Sequence, residues 1–332
     1  MGHESEGCAL LEDPATPSQD ETLRKQSWQG MKAPIKRMAS LRIPHLLLRG
    51  LIKAKPGLFT IGRLPAPAHV KAVEANMSDV NFTMLAPDRC ILAKELYWGH
   101  GQRPGAADQF ALDSFGALAR EADLVLDIGA YTGIFSLLSA RVSLKSQVHA
   151  FEIVPEVALA AIANVVANNL AERVTVHLCG VGEPSGNVTM ATGAGGSALP
   201  DFYSAQMNFA GGVRIPVRGL DNLIPILDPT REARSVLIKL DTEGGEATIL
   251  ENASNFLTRY KPDMLCEILP GKADVATIER ILRGHGYRLY RLEDAICRPL
   301  SELLPHEKYR DWLFTMLSPS ELAGRGLHVA HD

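Results

Sequence analysis

The sequence has 332 residues, of which 46% are hydrophobic and 22% charged, and its formal net charge is −4. These values are typical of a globular protein with a substantial core, and they exclude a wholly disordered, collagen-like or disulfide-scaffold protein. The slight negative charge does not favour a specific nucleic-acid partner, and five scattered cysteines without a CxxC pair indicate a reducing compartment rather than a zinc site.

Residues 1–30 are predicted to form a disordered tail, because they are rich in Glu, Ser, Pro and Gln and poor in large apolar residues. They contain no basic start followed by an apolar run, so no secretory signal is predicted. A cytoplasmic location is therefore expected.

A basic arm follows the tail and opens a predicted N-terminal subdomain over residues 31–120. Between Glu21 and Lys55 the chain has nine Lys or Arg residues and one acidic residue, interleaved with large apolar residues. This pattern fits a helix that covers one flank of the main domain with its charges solvated. It also fits a segment, residues 31–55, that lies weakly on an anionic membrane surface.

The rest of the subdomain is predicted to contain helices and a hairpin. A helix-like piece over His69–Met77 precedes two strand-like runs, Val80–Leu85 and Cys90–Leu96, which the turn residues Ala86–Arg89 separate. A helix is predicted over Gln109–Arg120.

Residues 121–318 are predicted to form one α/β domain, because apolar strand-like runs alternate there with helical runs. The predicted strands are Leu124–Ile128, Gln147–Phe151, Val174–Leu178, Val236–Leu240, Met264–Ile268, Tyr287–Leu292 and Trp312–Leu317. The predicted helices are Ile134–Val142, Glu156–Leu170, Ala247–Arg259 and Val275–Arg283. The pattern predicts a seven-stranded, mostly parallel sheet with helices on both faces, an antiparallel last strand, and a frayed tail at residues 319–332.

The first chemical motif follows the first strand of this domain. Asp127, Gly129 and Gly133 stand at a strand–turn–helix junction, where a ligand binds in folds of this kind. The glycines are spaced GxxxG rather than GxGxxG, which disfavours a dinucleotide. A carboxylate two residues before the first glycine suits a cationic or hydroxyl-rich ligand.

The second motif is an acid at the end of the second strand. Glu152 lies 25 residues after Asp127, at a position from which a carboxylate accepts hydrogen bonds from ribose hydroxyls. The structural alternative is that Glu152 belongs to the N-terminal cap region of the helix that begins near Pro155.

These two segments resemble the cofactor half of the class I S-adenosylmethionine-dependent methyltransferases. Asp127, Gly129 and Gly133 match the glycine-rich first motif of that group, and Glu152 matches its ribose-binding acid. The resemblance implies S-adenosyl-L-methionine as the cofactor. It implies the following cofactor-binding residues: Asp127, Ile128, Gly129, Ala130, Tyr131, Thr132, Gly133, Glu152, Ile153 and Asp241.

The third motif ends the strand Val236–Leu240. Lys239 lies inside this apolar strand and is expected to pair with a carboxylate such as Asp241, because an unpaired buried charge is costly. The acids that follow crowd negative charge, which suits a sulfonium and raises a carboxyl pKa towards the range of a general base. Capping of the next helix by Glu243 or Glu246 is the structural alternative.

Residues 238–246 resemble the I-K-x-D-x-E-G-x-E signature of the FkbM methyltransferase family, with Gly245 where that family usually has Ala. The resemblance extends over about residues 90–317. It implies O-methylation of a hydroxyl of a small molecule, natural product or saccharide. Asp241 is then expected beside the sulfonium, Glu243 as the proton acceptor, and Glu267 as a further active-site carboxylate.

Several alternatives stay open at this point. Asp241, Glu243 and Glu267 have the chemistry to hold Mg²⁺, although no metal is expected. The walls of the acceptor site are predicted at residues 185–212 and Tyr97–His100. The glycine-rich run 193–197, within the first of these ranges, is expected to form a lid or a long turn. The other functions considered are methylation of RNA or nitrogen, which lacks its NPP-type motif here, and a non-catalytic S-adenosylmethionine-binding or membrane-surface scaffold.

Overall fold

The computed structural model describes residues 47, 49, 50, 64–67, 69–184, 186–190, 199 and 211–330. The predicted disordered tail, most of the basic arm and the glycine-rich run 193–197 lie outside the described residues. The membrane contact of residues 31–55 therefore stays a prediction. Within the described part of the chain, none of the helices combines the length and the apolar character needed to cross a membrane.

The described elements fall into an N-terminal hairpin, an alternating α/β region and a C-terminal helix. The strands are β1 (Ala72–Met77), β2 (Val80–Leu85), β3 (Leu124–Ile128), β4 (Gln147–Glu152), β5 (Val174–Leu178), β6 (Gly180–Val181), β7 (Asn187–Met190), β8 (Val213–Arg218), β9 (Val236–Leu240), β10 (Asp263–Glu267), β11 (Arg288–Glu293), β12 (Ile296–Leu300) and β13 (Asp311–Thr315). The helices are α1 (Ile91–Trp98), α2 (Ala106–Ala119), α3 (Ile134–Val142), α4 (Pro155–Ala167), α5 (Leu220–Leu227), α6 (Glu246–Glu251), α7 (Ser254–Tyr260), α8 (Val275–Gly284) and α9 (Pro319–Gly324).

The main sheet has eight strands in the order β12-β11-β13-β10-β9-β3-β4-β5. Neighbours from β10 to β5 are parallel, whereas β13 runs antiparallel to both β10 and β11. Apolar clusters pack on both faces of the sheet. The predicted α/β architecture with a mostly parallel sheet is therefore confirmed.

The predicted strand number is wrong, because the sheet has eight strands rather than seven. The additional strand is β12, which pairs antiparallel with β11. The turn between them has Asp294 and Ala295 at positive φ, 36° and 71°. Two-residue turns of this kind usually carry Gly or Asn, so the Asp-Ala pair gave no hairpin signal.

The N-terminal hairpin lies one strand earlier than predicted. Val80–Leu85 is a strand, but it pairs with Ala72–Met77, which was predicted as a helix. The run Cys90–Leu96, predicted as a strand, instead begins helix α1, and the Cys90 sulfur accepts a hydrogen bond from the Ala93 amide at the start of that helix. A short apolar run of this kind is compatible with both a strand and a helix, and the N-terminal cap favours the helix here.

Two asparagine side chains join this hairpin to the α/β region. The Thr83 amide donates to Asn168 Oδ1 at 2.8 Å, and Asn168 Nδ2 donates back to the Thr83 carbonyl at 2.7 Å. The Leu85 amide donates to Asn164 Oδ1 at 2.8 Å, while Asn164 Nδ2 donates to the Thr132 carbonyl at 2.9 Å. Asn164 therefore links β2 directly to the loop after β3.

The helix predicted over Ala247–Arg259 is broken into α6 and α7. Asp221 of α5 accepts hydrogen bonds from the amides of Asn255 and Phe256, at 3.1 and 2.7 Å. A side chain from another element thus binds the amides of the first turn of α7, where no intrahelical acceptor exists. This tertiary contact is not visible in the local sequence.

Residues 319–324 form a helix where a frayed tail was predicted. Helix α9 begins with a capping box in which Ser318 and Glu321 satisfy each other's amides. Leu322 and Leu327 are buried in one of the main apolar clusters. The capping signature Ser-x-x-Glu was present in the sequence and could have indicated this helix.

Candidate active site

A cavity of about 550 Å³ lies where the parallel strands end. Its walls include the last residue of β10 and residues that follow β3, β4 and β9. The chain leaves β3 towards β4 on one side, while β9 pairs with its other side, so the strand order reverses at this point. Such a switch point is the usual ligand site of an open α/β sheet.

The loop after β3 forms one wall and has an unusual backbone. Gly129, Tyr131 and Gly133 all have positive φ, of 81°, 48° and 85°. A Cβ atom on Gly129 would lie 1.7 Å from the Asp241 carbonyl oxygen. The glycine therefore allows this loop and the loop after β9 to touch, which brings their side chains to one cavity.

Glu152 lies in the same cavity wall and holds the loop in place. Its Oε2 accepts the Tyr131 amide at 2.9 Å, and its Oε1 accepts the Val154 amide at 2.8 Å. Burial raises the pKa of the carboxyl group to about 7, although these amides act in the opposite direction. Each oxygen keeps acceptor capacity for a further donor.

The predicted cofactor-binding residues divide into two groups. Those that line the cavity are Ile128, Gly129, Ala130, Tyr131, Glu152, Ile153 and Asp241. Those outside its lining are Asp127, Thr132 and Gly133. The Thr132 hydroxyl contacts the buried Cys90 sulfur at 3.3 Å, and Gly133 caps the start of α3.

Asp127 lies beneath the cavity rather than in its wall. Its Oδ2 accepts hydrogen bonds from the Ser136 amide at 3.0 Å and the Ser136 hydroxyl at 2.6 Å. Burial raises the pKa of Asp127 to about 6, against the effect of Ser136. The geometry indicates that Asp127 joins β3 to helix α3 and so fixes the intervening loop.

Lys239 lies on the floor of the cavity between two carboxylates. Its Nζ is 3.3 Å from Asp241 Oδ2 and 3.4 Å from Asp311 Oδ1, and its side chain is 2% exposed. Burial alone would lower the pKa of Lys239, but the two carboxylates raise it above its ordinary value. The predicted pairing of Lys239 with Asp241 is confirmed.

Glu267 lies beside Asp241, at the end of the adjacent strand β10. Oxygen atoms of Asp241, Glu243 and Glu267 approach within 4.8 Å of one another. Burial and the Asp241 carboxylate raise the pKa of Glu267 to about 9. Lys272 Nζ lies 2.9 Å from Glu243 Oε2, so a positive charge already accompanies this group of acids.

The sequence interpretation missed part of the cavity. Asp311 was missed because it starts an antiparallel strand, and only the strand order brings it to the edge where the parallel strands end. Arg103 and Asp108 also line the cavity from the N-terminal region. Arg103 Nε lies 2.8 Å from Glu95 Oε2 and its Nη2 lies 3.6 Å from Asp108 Oδ2. No motif marked these residues.

The predicted acceptor walls are only partly in place. Val188 and Met190 line the cavity, and most of residues 191–210 lies outside the described residues. Tyr97 and Trp98 pack instead in a separate apolar cluster with Ala66. His100 is also outside the cavity lining, and its Nδ1 lies 3.2 Å from Arg49 Nη2.

Comparison with known proteins agrees with the signature at residues 238–246. Residues 127–289 match the family model described as "Methyltransferase FkbM domain". Comparison with curated proteins finds no match.

Solved structures of methyltransferases resemble the chain. Methyltransferase FkbM from Methylobacillus flagellatus KT is 21% identical, with 58% of this chain and 43% of that chain covered and a TM-score of 0.39. This chain therefore spans less than half of that protein. Precorrin-6y C5,15-methyltransferase from Geobacter metallireducens is 13% identical, covering 63% and 87%, with a TM-score of 0.34. Ribosomal protein L11 methylase from Lactobacillus delbrueckii subsp. bulgaricus is 12% identical, covering 63% and 77%, with a TM-score of 0.35.

Proposed function

We propose that the protein is an S-adenosylmethionine-dependent O-methyltransferase, because residues 127–289 form a domain of the FkbM methyltransferase family. Its acceptor is a hydroxyl group of a small molecule, natural product or saccharide. The observation that carries the proposal is the cavity at the switch point of the sheet, with Glu152 at one end and a row of carboxylates at the other.

Acidic residues extend along the edge of the sheet from β4 to β13. Glu152, Asp241, Glu267 and Asp311 belong to or directly follow β4, β9, β10 and β13, and β3 lies between β4 and β9. Four strand spacings of about 4.8 Å separate the two ends, which amounts to about 19 Å. The donor would occupy the half from Glu152 to Asp241, and the acceptor the half beyond it.

The residues at the donor end fit an adenosine. Both oxygens of Glu152 already accept one amide hydrogen, and their remaining lone pairs suit the two ribose hydroxyls. Two donors there would also compensate for the poor solvation that raises the pKa of this carboxyl group. Ile153 and Val181 offer apolar surface beside it for the adenine ring.

The residues at the other end fit a positively charged sulfur and a hydroxyl group. When bound, S-adenosylmethionine supplies an electrophilic methyl group on a sulfonium. Asp241 would face that charge, and Glu243 would accept the proton of the acceptor hydroxyl. Lys272 holds the Glu243 carboxylate at 2.9 Å, so the base keeps one position. Most of the rate would come from alignment of the two reactants.

Two experiments test the proposal. Calorimetry with S-adenosylhomocysteine is expected to show binding to the full chain. Incubation with cell extract and isotopically methyl-labelled S-adenosylmethionine, followed by mass spectrometry, is expected to reveal a labelled product with a methyl ether. Glu243→Gln should slow product formation by a factor of about 10² to 10⁴ and leave the affinity for S-adenosylhomocysteine unchanged.

The outcomes separate the competing functions. A product labelled on nitrogen or in RNA would overturn the O-methylation proposal. Binding of S-adenosylhomocysteine without any labelled product would favour the scaffold alternative. A chain that does not bind S-adenosylhomocysteine would exclude the proposed function altogether.

A further inference from the structure

The single positive charge of Lys239 is divided between two negative charges from different strands. Its Nζ lies 3.3 Å from Asp241 and 3.4 Å from Asp311, and Phe135 covers it at 5.2 Å from the ring centre. Because the two distances are nearly equal, neither carboxylate is fully neutralised by the ammonium. Both carboxylates line the cavity.

Glu267 adds a third carboxyl group but no charge at neutral pH. It is the register partner of Asp311 and lies beside Asp241. Burial and the Asp241 carboxylate raise its pKa to about 9, so it keeps its proton at neutral pH. Burial raises the pKa of Asp311, and the Lys239 ammonium acts in the opposite direction. With both Asp241 and Asp311 ionised, one positive charge on Lys239 faces two negative charges, and the group carries a net charge of −1.

We propose that Asp311 is a positioning residue that controls the charge facing the donor: it draws the Lys239 ammonium towards itself and so leaves negative charge on Asp241 for the sulfonium. This inference rests on the proposed function. Without the Asp311 carboxylate the ammonium would pair with Asp241 alone, and the net charge of the group would be zero. Further titratable side chains near this group include Asp127 on β3, Glu243 after β9 and Asp108 on α2.

A purely structural role explains the contact less well. A buried ion pair adds little stability compared with apolar residues of similar volume. Asp311 also lies outside residues 127–289, so the family domain alone does not supply it.

The test compares two ligands that differ in the charge on sulfur. S-adenosylmethionine is a sulfonium and S-adenosylhomocysteine is a neutral thioether, while the adenosine half is the same in both. Calorimetry on the full chain gives the ratio of their affinities. In Asp311→Asn the preference for the sulfonium should fall about tenfold, the effect of one charge a few ångströms away in a partly screened site. Asp311→Glu restores the charge and should restore the preference.

A matched control separates charge from folding. Asp263 lies on β10 at the opposite end of the β10–β13 pair and forms an ion pair with Arg325 at 3.2 Å. Asp263→Asn should change thermal stability but not the affinity ratio. If Asp311→Asn does not fold, Asp311→Ser carries the same test, because it leaves room for water beside the ammonium.

Two outcomes would count against the inference, and they are distinguishable. An unchanged ratio in Asp311→Asn, with both ligands still bound, would overturn it and leave the proposed function intact. Wild-type protein that binds neither ligand would overturn the proposed function and this inference with it.

Discussion

Gly129 and Asp241 are in such close contact that a methyl group on Gly129 would lie 1.7 Å from the Asp241 carbonyl oxygen. The Asp241 amide in turn donates to the Ile128 carbonyl at 3.0 Å, so the ends of β3 and β9 are bonded to each other beside the cavity. The loop that is predicted to hold the donor and the first acid of the reaction centre are therefore fixed as one unit.

Replacing Gly129 should disrupt this unit. Gly129→Ala is expected to lower the free energy of unfolding by about 3 kcal/mol or more, because the new Cβ overlaps a backbone oxygen and φ is 81°. Gly271 is the matched control, since it has φ of 72° but open space around it. Gly271→Ala should cost only about 1–2 kcal/mol, from the backbone strain alone. Urea denaturation measures both, and equal losses would contradict the overlap.

Glu152→Gln is expected to weaken S-adenosylhomocysteine binding about tenfold or more. Hydrogen bonds to a charged acceptor contribute about 1.5–3 kcal/mol, and the amide also loses one acceptor oxygen. Glu172→Gln, at an exposed position after α4, serves as the control and should leave the affinity unchanged. Calorimetry measures both variants, and an unaltered affinity in Glu152→Gln would refute the role of Glu152 in ribose binding.

The same interaction should depend on pH. The pKa of Glu152 is raised to about 7, so the carboxyl is largely protonated at pH 6 and ionised at pH 8. Ribose hydroxyls favour the ionised form, so S-adenosylhomocysteine should bind more tightly as the pH rises from 6 to 8, with release of a proton. Titrations in buffers of different ionisation enthalpy would detect that proton. The pH dependence should disappear in Glu152→Gln, and its persistence would assign it to another group.

Ser136→Ala should destabilise the protein by about 1–3 kcal/mol, because it removes the hydrogen bond that the Ser136 hydroxyl donates to the buried Asp127 carboxylate. Ser139→Ala is the control one turn later on α3. Its hydroxyl donates to the neutral Phe135 carbonyl at 2.8 Å, so its loss should cost less, about 1 kcal/mol. Thermal or urea unfolding measures both variants. A smaller loss for Ser136→Ala than for Ser139→Ala would argue against an anchoring role for Asp127.

Mg²⁺ is expected not to bind at Asp241, Glu243 and Glu267. Lys239 and Lys272 already lie 3.3 and 2.9 Å from Asp241 and Glu243, and a further divalent cation would have to displace them. Calorimetric titration with MgCl₂ should therefore show no binding heat, and a chelator should leave S-adenosylhomocysteine affinity unchanged. Binding of Mg²⁺ that Glu267→Gln removes would establish a metal site instead.

The sequence predicted the residues of the site that lie at the ends of β3, β4 and β9 and in the loops that follow these strands. The glycine spacing after β3, Glu152 at the end of β4 and the Lys239–Asp241 pair all depend on residues close together in the chain. Their relative positions follow from the general geometry of parallel sheets. The structure places these residues around one cavity.

The sequence did not predict features that depend on contacts between distant segments. Asp311 reaches the cavity only because β13 runs antiparallel between β10 and β11. Asp127 was predicted as a cofactor-binding residue, because its position before Gly129 fits both ligand binding and a structural contact. Only the hydrogen bond from the Ser136 hydroxyl distinguishes these two roles. The break between α6 and α7 depends on Asp221, more than thirty residues away from the amides that it binds.

The hydrogen bonds of Asn164 and Asn168 to β2 have a consequence for shortened or recombined forms of the protein. Asn164 and Asn168 act towards Thr83 and Leu85 as a neighbouring strand would, since each supplies an acceptor and Asn168 also donates in return. A shortened protein that keeps residues 127–289 but lacks the hairpin would remove the Leu85 amide from Asn164 Oδ1 and both Thr83 partners from Asn168. Exchange of the hairpin between relatives should therefore succeed only when both asparagines are transferred with it.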